Sequence, residues 1–377
     1  MIYLDNAATS WPKPPSVGEA MARFLAEEAG AADRGSHRLA LAAGRVVKDA
    51  RVKLARLFAA RDSSRIVHCF NCTDALNIAI KGVLRKGDHV VCTALDHNSV
   101  SRPLQHLVDA RVITLTRVPF GGDGLIDPDA VRRAMKPNTR LVTVPHASNV
   151  IGVIQPLEPL GRIVRENEAL FLVDAAQSAG VVEIDVERDF VDLLAVPGHK
   201  SLLGPTGTGA LYVGPRAELQ AWREGGTGSD SARPRQPTEL PTHLEAGTPN
   251  TVGLAGLCAA LDSVDPPRML HHEQSLVRRF CDAFADHPRV RIVGGVRNDQ
   301  RVGVVSFLVE GVEPVDVAAI LDASFDIAVR AGLHCAPFAH EALGTAPNGT
   351  VRVSPGYGTT DEDIDGLIQA VRDIATA

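Results

Sequence analysis

The chain lacks most of the features that assign a protein at first sight. No apolar run among its 377 residues reaches the roughly 18 residues that a membrane-spanning helix needs. There is no excess of positive charge either. Lys and Arg number 39 against 45 Asp and Glu, a net charge of −6, so neither nucleic acid nor an anionic membrane is an expected partner. The opening Met1-Ile2-Tyr3-Leu4-Asp5-Asn6 has no basic segment followed by an apolar one, and a secretory signal is not expected. The six cysteines lie scattered at 69, 72, 92, 258, 281 and 335, which is no disulfide framework for a chain of this size. No internal repeat and no low-complexity stretch occurs. What remains is an ordinary globular composition, 45% hydrophobic and 22% charged, which excludes disordered, collagen-like and coiled-coil classes. A chain this long buries a large core without staples, and its length suggests two or three domains. The expectation is a reduced, soluble, cytoplasmic protein.

Short β-branched runs alternate with helical patterns through the first two thirds. Strands are expected at 65–70, 89–92, 112–115, 141–144, 169–173, 193–196 and 209–213, with helices at 74–84, 99–109 and 157–166 between them. Nearly continuous apolar strands separated by helices indicate a buried, mostly parallel seven-stranded α/β sheet. The stretch 223–249 turns rich in Gly, Ser, Pro and Thr and reads as an excursion and hinge. Beyond it, a helix at 252–263, strands at 290–293 and 303–307, and helices at 314–324 and 361–374 suit a smaller α+β domain. The expected division is a large domain over 15–250 and a small one formed by 1–14 with 251–377.

Two motifs invite a functional reading and do not sustain it. Gly204-Pro205-Thr206-Gly207-Thr208-Gly209 precedes a strand, whereas a phosphate-binding glycine loop follows a strand and opens a helix; it reads as a turn. Cys69-Phe70-Asn71-Cys72 has no second CxxC to complete a metal site, so packing is expected of both thiols and no metal is expected.

The chemistry lies where the strands end, since ligands of open α/β sheets gather at their carboxyl ends. There the sequence sets Asn71-Cys72-Thr73-Asp74, Asp96-His97-Asn98, His146-Ala147-Ser148-Asn149, Asp174-Ala175-Ala176-Gln177 and Gly198-His199-Lys200. A helix N-terminus with Thr73 offers N–H donors and a hydroxyl to a phosphate. Asp174, closing an apolar strand, needs a cationic partner, and a protonated pyridine nitrogen is one. Lys200 sits between two glycine turns, placed to form a Schiff base, and His97 offers a flat ring for stacking. These are the parts that a pyridoxal phosphate site requires.

Further motifs extend the pattern over almost the whole chain: Tyr3-Leu4-Asp5-Asn6-Ala7-Ala8-Thr9, Ser148-Asn149-Val150-Ile151-Gly152, Glu245-Ala246-Gly247-Thr248-Pro249, Arg330-Ala331-Gly332-Leu333-His334-Cys335-Ala336 and Val351-Arg352-Val353-Ser354. With them the sequence resembles the class V aminotransferase group of fold type I pyridoxal phosphate enzymes, most closely the cysteine desulfurase/selenocysteine lyase family with a short, type II-like cysteine loop. The resemblance implies a homodimer with a pyridoxal 5'-phosphate site in each copy. Lys200 would hold the cofactor, Asp174 would face its ring nitrogen, Gln177 its phenolic oxygen and His97 its ring. Thr73 and His199 would bind the phosphate, joined by Thr227 of a second subunit. Asn149 and Arg352 would hold the carboxylate of L-cysteine, with Arg330, Ala7 and Arg34 on the substrate side. Cys335 would take the sulfur as a persulfide, leaving L-alanine, and pass it to an acceptor protein in sulfur mobilisation such as iron–sulfur cluster assembly. His334 and nearby cations are expected to favour its thiolate. The same scaffold would also serve a selenocysteine lyase, a cysteine or cystine β-lyase, an amino-acid epimerase, or a silent sulfur-relay protein. The chain departs from the family at Pro197, where a serine is usual, and at Asn71-Cys72-Thr73 in place of Gly-Thr-Thr.

Overall fold

Every residue from Leu170 to Asp174 is buried, and successive side chains enter opposite layers. Leu170 and Leu172 join one apolar cluster, Phe171 and Val173 the other. That alternation marks a sheet covered on both faces, which is why its strands read as unbroken apolar runs. The computed structural model describes residues 1–32, 34–228, 232, 234–294 and 300–376. Its strands, in chain order, are β1 (Ile2–Tyr3), β2 (Ile66–Cys69), β3 (Asp88–Thr93), β4 (Ile113–Val118), β5 (Thr139–Pro145), β6 (Leu170–Asp174), β7 (Leu193–Pro197), β8 (Gly209–Val213), β9 (Val290–Val293), β10 (Val305–Val309), β11 (Ile327–Ala328), β12 (Arg330–Gly332) and β13 (Thr350–Val353). Its α-helices are α1 (Pro15–Arg23), α2 (Arg38–Leu57), α3 (Cys72–Val83), α4 (Asn98–Asp109), α5 (Pro128–Ala134), α6 (Leu157–Glu166), α7 (Thr251–Ala260), α8 (Pro266–Ala283), α9 (Pro314–Phe325), α10 (Pro337–Leu343) and α11 (Asp361–Thr376).

The seven-stranded sheet has the order β2-β8-β7-β6-β5-β3-β4. Only β8 runs against its neighbours. Leu76 and Ile80 of α3 pack on one face, and Leu54 of α2 with Leu254 and Leu257 of α7 on the other. Register brings Asp174 beside Pro145 and Ala195, and Pro197 beside Gly209. The parallel strands therefore deliver their polar C-terminal residues to one edge. The turn after β7 needs a glycine at 198, because a Cβ there would collide with the Thr208 side chain.

The second sheet, β12-β13-β10-β9, is antiparallel. Phe280 of α8, Phe307 of β10, Val351 of β13 and Leu367 of α11 share its core. The sequence pattern shows two of these strands. β12 is Arg-Ala-Gly, with no apolar alternation, and β13 carries Arg352 in mid-strand, so neither announces itself. The opening residues join this half of the molecule: β1 pairs with β11, Leu4 enters the same core, and Asp5 bridges Ser354. Among the described residues no helix is long and apolar enough to cross a membrane, and no group of His, Cys, Asp and Glu is arranged to hold a metal ion.

Candidate active site

One cavity opens where β2, β3, β5, β6 and β7 end. Thr73, His97, Asn149, Asp174, Gln177, His199 and Lys200 all line it. A cleft of about 730 Å³ beside β9 and the loop before β13 contains none of them.

Asp174 is buried, and its Oδ1 accepts the Ala176 N–H at 2.9 Å and the Cys72 thiol at 3.4 Å. Burial raises its pKa, opposed by these donors and by the charge of Lys200. Lys200 keeps some accessible surface, yet protein atoms surround it so fully that desolvation lowers the pKa of its amine. His97 caps α4. Its Nδ1 lies 3.1 Å from the Ser99 N–H and accepts that bond, so the ring proton belongs on Nε2. Burial and the nearby charges of Lys200, Arg330 and Arg352 bring its pKa down to about 4, leaving a neutral ring at pH 7. Asn71 caps α3 by accepting the Asp74 N–H at 2.9 Å. The first turn of that 12-residue helix borders the cavity through Cys72 and Thr73. The Thr73 hydroxyl meets Ser99 Oγ at 2.8 Å. His199 Nδ1 is buried without a hydrogen-bond partner among the described residues, and the ring is held neutral, near a pKa of about 4, by burial and then by Lys200 and Lys13.

The substrate side is built from the second sheet and the N-terminal segment. Arg352 is buried on β13. Its Nη2 donates to Asp5 Oδ1 at 2.6 Å and its Nη1 to the Asn149 carbonyl at 3.2 Å, while Nε has no partner among the described residues. Ala7 is held by its backbone, its carbonyl accepting from Gln177 Nε2 at 3.1 Å and its N–H donating to Ser354 Oγ at 3.0 Å. Asp5 and Ser354 have no local sequence signal for these roles, because the contact with Arg352 spans 347 residues.

Cys335 stands on a strained turn. His334 and Cys335 are consecutive left-handed residues, with φ of 47° and 58°, which non-glycine residues adopt at a cost unless the surroundings hold them. Here they do: the His334 carbonyl accepts from Asn149 Nδ2 at 2.6 Å and the Cys335 carbonyl from the Asn98 N–H at 2.7 Å. Arg330 Nη2 lies 3.5 Å from the half-buried Cys335 sulfur. The expectation that His334 favours a thiolate is corrected. Its Nε2 is engaged with Thr350 Oγ1 at 3.0 Å, and burial, then Arg352, His340 and Arg330, push its pKa down to about 2. It is a neutral anchor, and Arg330 is the cation beside the sulfur.

Arg34 and Thr227 do not reach this cavity within one chain. They share a separate one with Arg51, Arg223 and Glu245, where Arg34 Nη2 donates to the Gly226 carbonyl at 3.2 Å.

The buried groups set a pH profile for the cofactor-free protein. Burial lowers seven imidazoles, His68, His97, His146, His199 and His340 to about 4, His334 to about 2, and His89 in the same direction. It raises four carboxyls, Asp96 and Glu273 to about 8, and Asp174 and Asp192 in that direction. As pH falls below about 6.5 the unfolded chain protonates its histidines first, so their contribution is lost between about 6.5 and 4. The carboxyls act oppositely, since the folded chain holds protons that the unfolded chain has released, and their contribution is lost as pH rises from about 4 to 8. The imidazoles outnumber them, so stability should peak near about pH 6.5. Urea midpoints between pH 4 and 8 check this; a midpoint climbing steadily from 6.5 to 8 would contradict it.

The fold and this cavity define a class. The family model of class V aminotransferases matches residues 2–367, and the chain belongs to that family. A probable cysteine desulfurase of Methanothermobacter thermautotrophicus is 37% identical over 390 residues, covering 99% of this chain and 94% of the relative. A cysteine desulfurase of Salmonella agona is 31% identical over 380 residues, covering 98% and 92%. The apo structure of the cysteine desulfurase from Thermococcus onnurineus matches with a TM-score of 0.93 at 35% identity, over 100% of this chain and 94% of that one. The cysteine desulfurase CsdA of Escherichia coli, solved as an S-sulfonic acid, matches at 0.89 and 30%, over 100% and 94%. The α/β architecture expected from the sequence is the one these enzymes have.

Proposed function

We propose that this protein is a pyridoxal-phosphate-dependent cysteine desulfurase that converts L-cysteine to L-alanine and takes the sulfur onto Cys335. The observation that carries the reading is the cavity itself, lined by a desolvated lysine, a buried carboxylate and Asn149, with Asn149 and the neighbouring Asn98 pinning the turn that carries Cys335.

The residues fit the cofactor. Asp174 is buried and forms no salt bridge among the described residues, so a cationic ring nitrogen would supply the charge it lacks. His199 Nδ1 is a buried orphan beside the first turn of α3, where helix N–H groups favour a phosphate. His97 and Gln177 line the space between. Pro197 brings no hydroxyl, which leaves the phosphate to Thr73, His199 and the helix end. When bound, pyridoxal phosphate supplies an electron sink for the carbon that loses its proton.

The remaining work falls to side chains. Lys200, its amine made easier to deprotonate by desolvation, holds and moves the Cα proton. Arg352, whose Nε has no partner among the described residues, would hold the substrate carboxylate, its plane fixed by Asp5 and the Asn149 carbonyl. Arg330 places a positive charge against the Cys335 sulfur. Cys335 Sγ bonds to the substrate sulfur as the Cβ–S bond breaks. The electron pair stays on Cβ, which takes a proton, so L-cysteine and one thiol become L-alanine and one persulfide. A reductant or an acceptor protein's thiol then removes the outer sulfur.

We further propose a homodimer. The separation of Arg34 and Thr227 from Lys200 within one chain is what a site completed by a second copy requires. The test of the activity is product analysis with L-cysteine and a reductant. Alanine and sulfide in equal amounts are expected; pyruvate with ammonia would mean β-elimination, and D-cysteine an epimerase.

A further inference from the structure

Two cysteines flank the turn after β2, and they behave differently. Cys69 directs its sulfur at a backbone carbonyl two residues away, Val67 O, at 3.6 Å. Cys72 reaches across 102 residues to Asp174 Oδ1 at 3.4 Å. Both are buried, but only Cys72 lines the cavity. Packing accounts for Cys69; for Cys72 it leaves the contact with Asp174 unexplained.

Resting on the cofactor reading above, we infer that Cys72 is a positioning residue which fixes the orientation of the Asp174 carboxylate toward the cofactor ring. Beside a cationic ring nitrogen the carboxylate would be ionised and have no proton to give, so the thiol is the donor. Burial and the charge of Asp174 both raise the thiol's pKa, so the sulfur keeps its proton. Oδ1 thus takes two donors from different elements, the first residue of α3 and the Ala176 N–H in the turn after β6. Oδ2 accepts no hydrogen bond from a described side chain or N–H. Turning the carboxylate about its last torsion would break both bonds on Oδ1. A thiol is a weak donor, so it sets direction without neutralising the charge that a ring nitrogen needs. Thr73, the next residue, faces the same cavity from the same helical turn. One step of backbone therefore sets the distance between the anion cup and the carboxylate.

The experiment measures cofactor affinity of the cofactor-free protein for wild type, Cys72→Ala, Cys72→Ser, Asp174→Asn and the Cys72→Ala/Asp174→Asn double variant. The probes are pyridoxal phosphate and its analogue with carbon in place of the ring nitrogen. Losing one hydrogen bond from a weak thiol donor should weaken pyridoxal phosphate binding by about three- to tenfold in Cys72→Ala, while Cys72→Ser, which restores a donor, stays within about twofold of wild type. The analogue should not distinguish wild type from Cys72→Ala, and in the Asp174→Asn background the alanine should change nothing. Equal affinity of wild type and Cys72→Ala for pyridoxal phosphate overturns the inference. So does equal weakening toward both compounds, which would report a void at the start of α3. Should Cys72→Ala fail to fold, Cys72→Val, which leaves no void and brings no donor, must show the same loss, and wild-type affinity in it overturns the inference. Wild-type protein that takes up no pyridoxal phosphate would instead overturn the cofactor reading on which this rests.

Discussion

Replacing Lys200 with alanine is expected to lower L-cysteine turnover by about 10³-fold, the range that one positioned proton-transferring side chain supplies, and to abolish covalent retention of the cofactor. Borohydride treatment of the loaded wild type, followed by digestion and mass spectrometry, should place the reduced adduct on the peptide containing Lys200. The competing amine is Lys13, which burial also lowers, to about 8. Its ammonium already donates to Ser10 Oγ at 2.9 Å and to the His199 carbonyl at 3.3 Å, and it does not line the cavity. An adduct on Lys13, or on no lysine, would remove the basis for the proposed activity.

Replacing Cys335 with serine should separate the two halves of the reaction. The cavity is untouched by this change, so the variant should keep its yellow cofactor band and still bind L-cysteine. A hydroxyl is a far poorer nucleophile toward sulfur than a thiolate, and alanine formation should drop by about 10²- to 10³-fold. Intact mass of the wild type after one turnover without reductant should show the gain of one sulfur atom, absent from the variant. Alanine formation undiminished in the serine variant would mean that substrate sulfur leaves by another route.

Much of this was legible in the sequence, for a physical reason. A strand buried on both faces must be apolar along its whole length, so β5, β6 and β7 stand out. The polar residues that interrupt such runs can only lie where the strand leaves the core, which located His97, Asn149, Asp174 and Lys200 together. What escaped depends on chain segments meeting late. β12 and β13 have no pattern of their own, since Gly332 and Arg352 answer to the site rather than to sheet packing. The sequence does not show the role of His334, because its neutrality comes from burial and then from Arg352, His340 and Arg330, surroundings that only folding brings to it. Cys72 reads as filler because its partner lies across the sheet, and the sequence shows no role for Asp5 because Arg352 arrives at the far end of the chain.

That last pairing bears on how the enzyme matures. During synthesis Asp5 leaves the ribosome long before Arg352 does, and in that interval the guanidinium it will hold does not yet exist. The large sheet can condense meanwhile, since its strands are complete by Val213. The amino-terminal strand has to wait for β11 and β13 before it can dock. Competence to hold a substrate carboxylate should therefore be the final event of maturation, appearing after the bulk of the secondary structure has formed.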